Sequence, residues 1–275
     1  MKELSLEEVQ KISLDGLIYF ADVCNKYQLR YYLAFGTLLG AVRHSGFIPW
    51  DDDIDILMPR EDYDKFVDLS RYLEDEHWEI LTYHNTEGYN YYWTKICNKA
   101  TVLIPSRFTS GLLYGISIDI FPLDYMKSQT KADARDEIKE IQAIYSVIKK
   151  KILPFNTKTP GFINSIKRIY KKAYYNIIGK RKYNLAQEYE RLEKNFVMNT
   201  RGKNVTWFFS PSCDFFFATE WFDNNGECAE LTFEGRRFTA PYNYHEVLKT
   251  LYGDYMKLPP KEKQITHHTY RAYYK

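Results

Sequence analysis

The sequence predicts an α+β protein whose mixed sheet core is flanked by helices. Period-two patterns occur around residues 50–60 and 78–120, an amphipathic helical pattern opens the chain, and helical patterns dominate later. With 275 residues, 45% of them hydrophobic and 27% charged, the chain can form one large domain or two small ones. We place a boundary near residue 125, where strands give way to helices. Residues 1–125 then form a core, and residues 126–275 form a helical and mixed part packed on it.

The N-terminal region is predicted to be a helix followed by a strand and a second, short helix. Ser5 and Glu8 form a capping box, and apolar residues then recur at helical spacing. The stretch "RYYLAF" favours a strand. Gly36 and Thr37 follow it at a turn, and "TLLGAVRH" predicts a short helix whose first backbone N–H groups lack helical partners.

The stretch "DDIDILMP" predicts a half-buried strand. Ile54 and Ile56 alternate with aspartates on the opposite face, and the next helix follows Pro59. Further strands are predicted at "WEILTYH", "YYWTKICN", "TVLI" and "YGISIDIF". Beyond them we expect two long helices at about 130–150 and 161–197, a strand- and turn-rich stretch at 204–241, and a last helix near "YHEVLKTLYG".

Crowded aspartates suggest a metal site. Asp51, Asp52, Asp53 and Asp55 repel one another unless a cation lies between them. A D-x-D at a strand tip, with a third carboxylate from a neighbouring strand, suits Mg²⁺, with Mn²⁺ as the alternative. Asp119, flanked by isoleucines in a second strand, is the natural third member. The predicted metal ligands are Asp51, Asp53, Asp55 and Asp119, whereas Asp52, on the isoleucine face, is expected to pair with Arg43 or Arg60.

Other readings of this motif are possible. An EF-hand loop fails because Ile56 stands where a glycine is needed. The DDxxD of prenyl synthases works on a helix, whereas Pro49 and the alternation favour a strand. A solvated acidic loop is disfavoured because isoleucines alternate with the aspartates. A non-catalytic scaffold protein is disfavoured because such proteins tend to lose a carboxylate, whereas Asp53, Asp55 and Asp119 are all present. The D-x-D of nucleotide-sugar glycosyltransferases stays open on the motif alone.

The order of motifs resembles known proteins. A small-residue turn, a D-x-D and a second aspartate-bearing strand resemble the nucleotidyltransferase fold of the DNA polymerase β superfamily. The stretches "GTLLGAVRHSGFIPWDDDIDILMPREDY", "IDIFPLD" and "APYNYHEVLKTLYGDYMKLPPKEKQITHH" resemble the LicD family of phosphocholine transferases, which includes the fukutin-type ribitol-phosphate transferases. These matches lie at the start, middle and end of the chain, so the resemblance covers about residues 10–270.

This resemblance implies an Mg²⁺-dependent phosphotransferase. It would transfer phosphocholine, or a related phospho-alcohol, from a CDP-activated donor to a hydroxyl of a bacterial surface-glycan precursor and release CMP. Teichoic acid, lipopolysaccharide and capsule precursors are the expected acceptors, and the acceptor can be lipid-linked. Residues 1–125 would be the nucleotidyltransferase-like catalytic core. A glycosyltransferase remains the alternative, although only about 50 residues precede Asp51, too few for a nucleotide-binding half.

The resemblance also assigns roles to residues. Asp53, Asp55 and Asp119 are the expected catalytic residues, and Asp124 is expected to be structural. If the donor is CDP-choline, aromatic rings should surround its trimethylammonium group, with Trp50 and Trp93 as candidates. The expected substrate-binding residues are Gly36, Thr37, Arg43, His44, Trp50, Lys95, Lys263, His267 and His268.

Charge is unevenly distributed along the chain. No acidic residue occurs from Ile141 to Gln187, and the basic residues there, concentrated within residues 149–182, lie among tyrosines and isoleucines. Such a segment is either a solvated helical face or a dock for anionic phosphates of a membrane or a lipid-linked glycan. The acidic N-terminus is unlike a signal peptide, so we expect a cytoplasmic protein, peripheral at the inner face of the membrane if this segment docks. No nucleic-acid partner is expected.

Overall fold

The computed structural model describes most of the chain outside its middle part. The described residues are 1–89, 91–105, 112–126, 130, 132, 135–136, 139, 189–190, 204–206, 217–266 and 270–275. The predicted helices at about 130–150 and 161–197, and the basic segment 149–182, lie essentially outside these ranges. No helix within the described ranges combines the length and the apolar character needed to cross a bilayer.

The centre of the protein is a mixed β-sheet, as predicted. Its main path runs β1–β2–β6–β4–β3. Only β2 and β6 run parallel; the other neighbours along this path are antiparallel. The short strands β7 and β8 extend the sheet from the end of β6. These strands are β1 (Tyr32–Leu33), β2 (Asp55–Pro59), β3 (Trp78–Leu81), β4 (Thr94–Asn98), β6 (Ser117–Tyr125), β7 (Asn204–Thr206) and β8 (Phe217–Ala218).

Two helices cover the isoleucine-rich face of this sheet. The register aligns Ile56 with Ile120, and Ile118 with Ile96, so these apolar side chains share one face. Helix α1 (Leu6–Tyr27) packs there through Gly16, where an added Cβ would lie 3.5 Å from Ile118. Helix α3 (Arg60–Leu69) packs beside α1, because the ring of Phe66 contacts the ring of Phe20 of α1 edge-on, with 5.4 Å between the ring centroids. The opposite face therefore carries the residues that alternate with the isoleucines.

Local sequence signals explain where the first helices begin and end. Helix α1 starts at the predicted capping box, in which Ser5 and Glu8 each bond the other's backbone N–H. Helix α2 (Phe35–His44) follows β1 directly and ends at Ser45, which takes a left-handed conformation. Gly40 permits this tight ending because an added Cβ would lie 2.4 Å from the carbonyl oxygen of Gly46.

The C-terminal part completes the same hydrophobic core. A hairpin of β9 (Ala229–Phe233) and β10 (Arg236–Ala240) contributes Phe233 and Phe238, and helix α4 (Tyr244–Tyr252) contributes Leu248. The hairpin turn is also fastened to the end of α2. Glu234 accepts a hydrogen bond from the Phe47 backbone at 3.0 Å and donates its own N–H to the Ser45 carbonyl at 3.0 Å.

The two chain ends meet at a small separate sheet. Strand β5 (Thr101–Pro105) pairs antiparallel with β11 (Tyr270–Tyr274). The N–H of Leu4 donates to the Ala272 carbonyl at 2.9 Å. A second apolar cluster lies beneath this sheet and consists of Leu4, Val9, Leu103, Ile116 and Ala272.

The predicted aspartate strand begins later than its alternation suggested. Strand β2 starts at Asp55, so Asp51 and Asp53 precede it in a loop. A turn holds this loop, because the Asp51 N–H donates to the Ile48 carbonyl at 2.9 Å and Gln10 of α1 donates to the Asp51 carbonyl at 2.7 Å. Leu57 and Met58 are both buried, so both faces of β2 are covered.

A buried ion pair links α3 to β6. Arg60 donates to Asp124 at 2.6 Å, and the Asp124 side chain is fully buried. Arg60 also donates to Tyr92 at 2.7 Å and to Asp64 at 3.1 Å. This contact agrees with the expected structural role of Asp124, which anchors helix α3 to the sheet from within β6.

Removing Arg60 should strongly destabilise the fold. In Arg60→Ala, the Asp124 carboxylate loses its cation in a buried position, so we expect the free energy of unfolding to fall by about 3–5 kcal/mol. Arg71→Ala is the control, because Arg71 forms an exposed pair with Asp68 and should cost less than about 1 kcal/mol. Urea denaturation measures both. Equal losses in the two variants would contradict the assignment.

Candidate active site

The site is centred on three charged residues in a row across three strands. Asp55 of β2 pairs in register with Asp119 of β6, and Asp119 pairs in register with Lys95 of β4. All three lie on the sheet face opposite the isoleucines. The structure therefore brings together two predicted catalytic carboxylates and one predicted substrate-binding lysine.

The loop before β2 adds three more carboxylates. One carboxylate oxygen from each of Asp51, Asp52 and Asp53 lies within 4.8 Å of the others. Gly36 makes room for this loop, because an added Cβ would lie 2.6 Å from Oδ2 of Asp51. Gly36 and Thr37 were predicted at a turn before the helix, but the structure places both in the first turn of α2. The described atom that comes closest to an added Cβ at Gly36 is the carboxylate oxygen of Asp51.

The surroundings of Asp55 disfavour its charged form. Burial raises the pKa of Asp55 well above its ordinary value, and the carboxylates of Asp53, Asp119 and Asp51 raise it further. Lys95 acts in the opposite direction but does not cancel these effects. A cation bound beside Asp55 would favour the charged form of this carboxylate.

Asp119 accepts hydrogen bonds from Lys95 of β4 and from Trp93, the residue that precedes β4. The ammonium group of Lys95 donates to Oδ1, and the indole N–H of Trp93 donates to Oδ2 at 2.8 Å. Burial disfavours the charge of Lys95, but Asp119 outweighs burial and the pKa of Lys95 is raised. Lys95 is only 6% exposed and stays positively charged. In this structure it therefore neutralises and orients Asp119.

The start of helix α2 lies at the edge of the carboxylate cluster. The side-chain oxygen of Thr37 accepts a hydrogen bond from the Asp55 N–H at 2.9 Å. Phe35 begins the helix with φ of 42°, in the left-handed region that non-glycine residues seldom adopt. Thr37 thus ties the helix N-terminus to the first residue of β2.

Arg43, His44 and Trp50 lie at the other end of α2. Arg43 donates to Nε2 of His44 at 3.0 Å and to the Tyr255 carbonyl at 3.0 Å. Burial and the charge of Arg43 lower the pKa of His44, which keeps its imidazole neutral at pH 7. The rings of His44 and Trp50 meet edge-on at 6.5 Å. These residues form one group beside the aspartate loop.

The C-terminal tail folds back against the aspartate loop. Thr266 donates to the Trp50 carbonyl at 2.9 Å, and Tyr270 hydrogen-bonds to Asp52. Asp52 was predicted to pair with Arg60 or Arg43. In the structure Arg60 pairs with Asp124, and Arg43 donates to His44 and to the Tyr255 carbonyl. Lys263 is exposed in a short 3₁₀ helix, Lys261–Lys263. His267 and His268 lie outside the described residues.

Two tyrosines that were not predicted as site residues interact electrostatically with the carboxylates. Burial raises the pKa of Tyr252, and the charges of Asp55, Asp51 and Asp53 raise it further, although the residue as a whole is 44% exposed. The pKa of Tyr270 is raised by burial, by Asp52 and by Asp53. Tyr252 opens the stretch "YGDYMKLPP…HH" and Tyr270 follows it by two residues, so closeness to this motif was the available signal.

The residues present fit a divalent cation. Carboxylate oxygens of Asp51, Asp52 and Asp53 lie close enough together to share an ion, and they are hard oxygen donors, the ligand type that Mg²⁺ and Mn²⁺ prefer. Asp55 and Asp119, both predicted as ligands, lie in register on β2 and β6 but do not belong to this close group of three. Asp52, expected to lie away from the metal, belongs to the same cluster.

Replacing Asp55 should stabilise the protein when no metal is added. Asp55→Asn removes one of several mutually repelling charges, so at pH 7.5 with EDTA we expect the free energy of unfolding to rise by at least about 1 kcal/mol, the equivalent of one pKa unit. The gain should shrink at lower pH, because a carboxylate with a raised pKa takes up a proton on folding and its penalty appears only as pH rises. Urea denaturation measures the effect.

The same variant should respond less to metal. Mg²⁺ should stabilise the wild-type protein, since a ligand that binds only the folded state raises its stability, and Asp55→Asn should reduce that gain. Asp22→Asn, at an exposed position of α1, is the control and should stay within about 0.5 kcal/mol of wild type throughout. A destabilised Asp55→Asn in EDTA would contradict the proposed charge repulsion.

Several known proteins are similar to this chain. The family described as "LicD/FKTN/FKRP, nucleotidyltransferase domain" matches residues 28–159. A protein of Haemophilus influenzae named lipopolysaccharide cholinephosphotransferase LicD is 33% identical over 279 residues, which cover 99% of this chain and 99% of that protein. An uncharacterized protein of Rickettsia typhi is 41% identical over 63 residues, 22% of this chain and 20% of that protein.

The full-length similarity to the Haemophilus protein spans every element described above, from the N-terminal helix to the strand that closes the chain. The family match includes the aspartate loop and both carboxylate-bearing strands. The chain therefore belongs to the LicD family of phosphocholine transferases.

Proposed function

We propose that this protein transfers phosphocholine from CDP-choline to a hydroxyl of lipopolysaccharide or a related bacterial surface-glycan precursor, and releases CMP. The observation that carries the proposal is the cross-strand row of Asp55, Asp119 and Lys95 beside the carboxylates of the aspartate loop. The name of the full-length Haemophilus relative supports phosphocholine as the group transferred and lipopolysaccharide as the acceptor. Teichoic acid and capsule precursors are further acceptors of the same chemistry.

We also propose a division of labour along the chain. Residues 1–125 form a nucleotidyltransferase-type catalytic core, and residues 126–275 bind substrate while packed on that core. The packing of α4 and the β9–β10 hairpin into the main core supports this arrangement. Tyr252 and Tyr270 then bring side chains of the second part to the carboxylates of the first.

The proposed role of the carboxylates is to hold Mg²⁺. Asp53 and Asp55 would be the main ligands, with Asp51 and Asp119 completing the set. When bound, the ion would neutralise the charge of the donor diphosphate and of the leaving CMP. The start of α2, with Gly36 and Thr37, would favour the same phosphates through its backbone N–H groups and its dipole.

Asp119 is the proposed acceptor of the hydroxyl proton. Lys95 and Trp93 fix both of its oxygens, so the carboxylate cannot rotate away from the incoming hydroxyl. A phosphoryl transfer depends mainly on positioning and on charge neutralisation. The fixed orientation of the Asp119 carboxylate would contribute to positioning. Arg43, His44 and Lys263 would then supply positive charge or hydrogen bonds from the side of α2 and the tail.

Release of CMP tests the reaction directly. With Mg²⁺, the protein should release CMP from CDP-choline faster than from CDP-ethanolamine, CDP-ribitol or CDP-glycerol, and EDTA should stop the release. Asp53→Asn should lower the rate at least about 100-fold, because a metal-bound transition state loses one ligand. The control is Asp22→Asn, and circular dichroism checks the fold of each variant.

A different pattern of donors would change the conclusion. Turnover of a UDP-sugar without turnover of any CDP-alcohol would show that the aspartates serve a glycosyltransferase. Full activity of Asp53→Asn would contradict the assignment of Asp53 as a metal ligand but not the proposed reaction.

We further propose that residues 149–182 contact an anionic membrane or a lipid-linked acceptor at the inner face of the membrane. The support is the acid-free, tyrosine-rich sequence of this segment, which lies outside the described residues. Replacing Lys167, Arg168, Lys171 and Lys172 by Gln should reduce sedimentation with phosphatidylglycerol vesicles by at least about tenfold, since each basic residue near such a surface contributes about 1 kcal/mol.

The control for this experiment carries the same change in charge elsewhere. Lys26, Lys99, Lys249 and Lys257 are exposed and can be replaced by Gln together. Equal vesicle binding by both quadruple variants would mean that the segment is a solvated face.

A further inference from the structure

A continuous series of partly exposed aromatic rings borders the carboxylates. We call it the aromatic wall, and it consists of Phe35, Phe121, Trp93, Tyr91 and Tyr114. Along the wall, successive ring centroids lie 5.6, 5.0, 4.8 and 6.1 Å apart. Each of these residues is partly accessible to solvent. An accessible aromatic surface of this size, next to a charged site, is suited to binding part of a ligand.

The aromatic wall is connected directly to Asp119. The indole N–H of Trp93 donates to Oδ2 of Asp119 at 2.8 Å. Phe121 follows Asp119 by two residues in β6, so its ring lies on the same face of the sheet. A group resting on Phe121 would therefore lie beside the carboxylates that the proposed function assigns to the donor.

One end of the wall already surrounds a cation. The ammonium nitrogen of Lys95 lies 5.0 Å from the centroid of Tyr91, 5.2 Å from that of Tyr114 and 5.7 Å from that of Trp93. Each distance falls within the range of a cation–π interaction. The electrostatic potential of these rings and of Asp119 thus stabilises a positive charge in this structure. Phe35 and Phe121 extend the same surface beyond the rings that contact Lys95.

The backbone of Phe35 is strained at the far end of the wall. Its φ of 42° is unfavourable for a residue with a side chain, and its ring meets Phe121 edge-on. Phe35 also begins α2, where the proposed function places the donor phosphates. A ligand with a phosphate at α2 and a cation on the rings would span these two positions.

We propose that Phe35 and Phe121, at the end of the aromatic wall away from Lys95, bind the quaternary ammonium group of the donor choline. This inference rests on the proposed function and assigns the residues that recognise the choline. A quaternary ammonium cannot donate hydrogen bonds, so aromatic faces near carboxylates are the surface that suits it. A neutral acceptor sugar would gain nothing from the negative potential at this place.

Variants of Phe121 test the choline subsite. Phe121→Leu keeps an apolar side chain but removes the ring, whereas Phe121→Tyr keeps the ring. Calorimetric titration of the full-length protein with CDP-choline, and separately with CMP, should show about three- to tenfold weaker CDP-choline binding in Phe121→Leu. CMP binding should change less than about twofold, and Phe121→Tyr should resemble wild type. Tyr72→Leu, an 81% exposed ring away from the site, is the control.

Three results would overturn the subsite. These are unchanged CDP-choline affinity in Phe121→Leu, an equal loss for CDP-choline and CMP, or a change confined to the KM of the glycan acceptor. The proposed function has a separate readout. Wild-type protein that binds CDP-choline with the expected dependence on Phe121, but releases no CMP in the presence of acceptor, would overturn the reaction and leave the subsite standing. Wild-type protein that does not bind CDP-choline would overturn both.

Discussion

Repulsion among carboxylates is the constraint on which the site depends. The sheet register places Asp55 directly beside Asp119, and the aspartate loop adds further negative charge at the start of β2. Such an arrangement is unfavourable by itself, and it adds to the effect of burial in raising the pKa of Asp55. Lys95 and Trp93 hold Asp119 on one side of the row. On the other side, a divalent cation bound between Asp55 and the aspartate loop would offset part of the repulsion.

The rest of the fold holds these charges in place. Helices α1 and α3 cover the isoleucine face of the sheet. The β9–β10 hairpin is hydrogen-bonded to the end of α2, and Thr37 links the start of α2 to Asp55. Gly36 and Asp51 lie so close together that a side chain at position 36 would displace the aspartate loop. Stability elsewhere thus offsets the unfavourable centre.

Much of the N-terminal part could be predicted from local patterns. The capping box marked the start of α1, and alternation placed Asp55 and Asp119 in strands. Alternation could not show that Asp51 and Asp53 precede the strand, because a turn held by Gln10 decides this. Nor could it show that Lys95 is aligned with Asp119, since register between distant strands leaves no local signal. The sites of Tyr252 and Tyr270 depend on tertiary packing in the same way.

The shared hydrophobic core has a consequence for synthesis on the ribosome. Phe233, Phe238 and Leu248 complete a core that β1 and α2 begin. The N-terminal part of a nascent chain therefore emerges with apolar surface that these later residues cover in the folded protein. Strand β5 likewise emerges well before its partner β11. This part of the core can be completed only once β10 and α4 have been synthesised, so the unfinished chain exposes apolar surface to which chaperones bind.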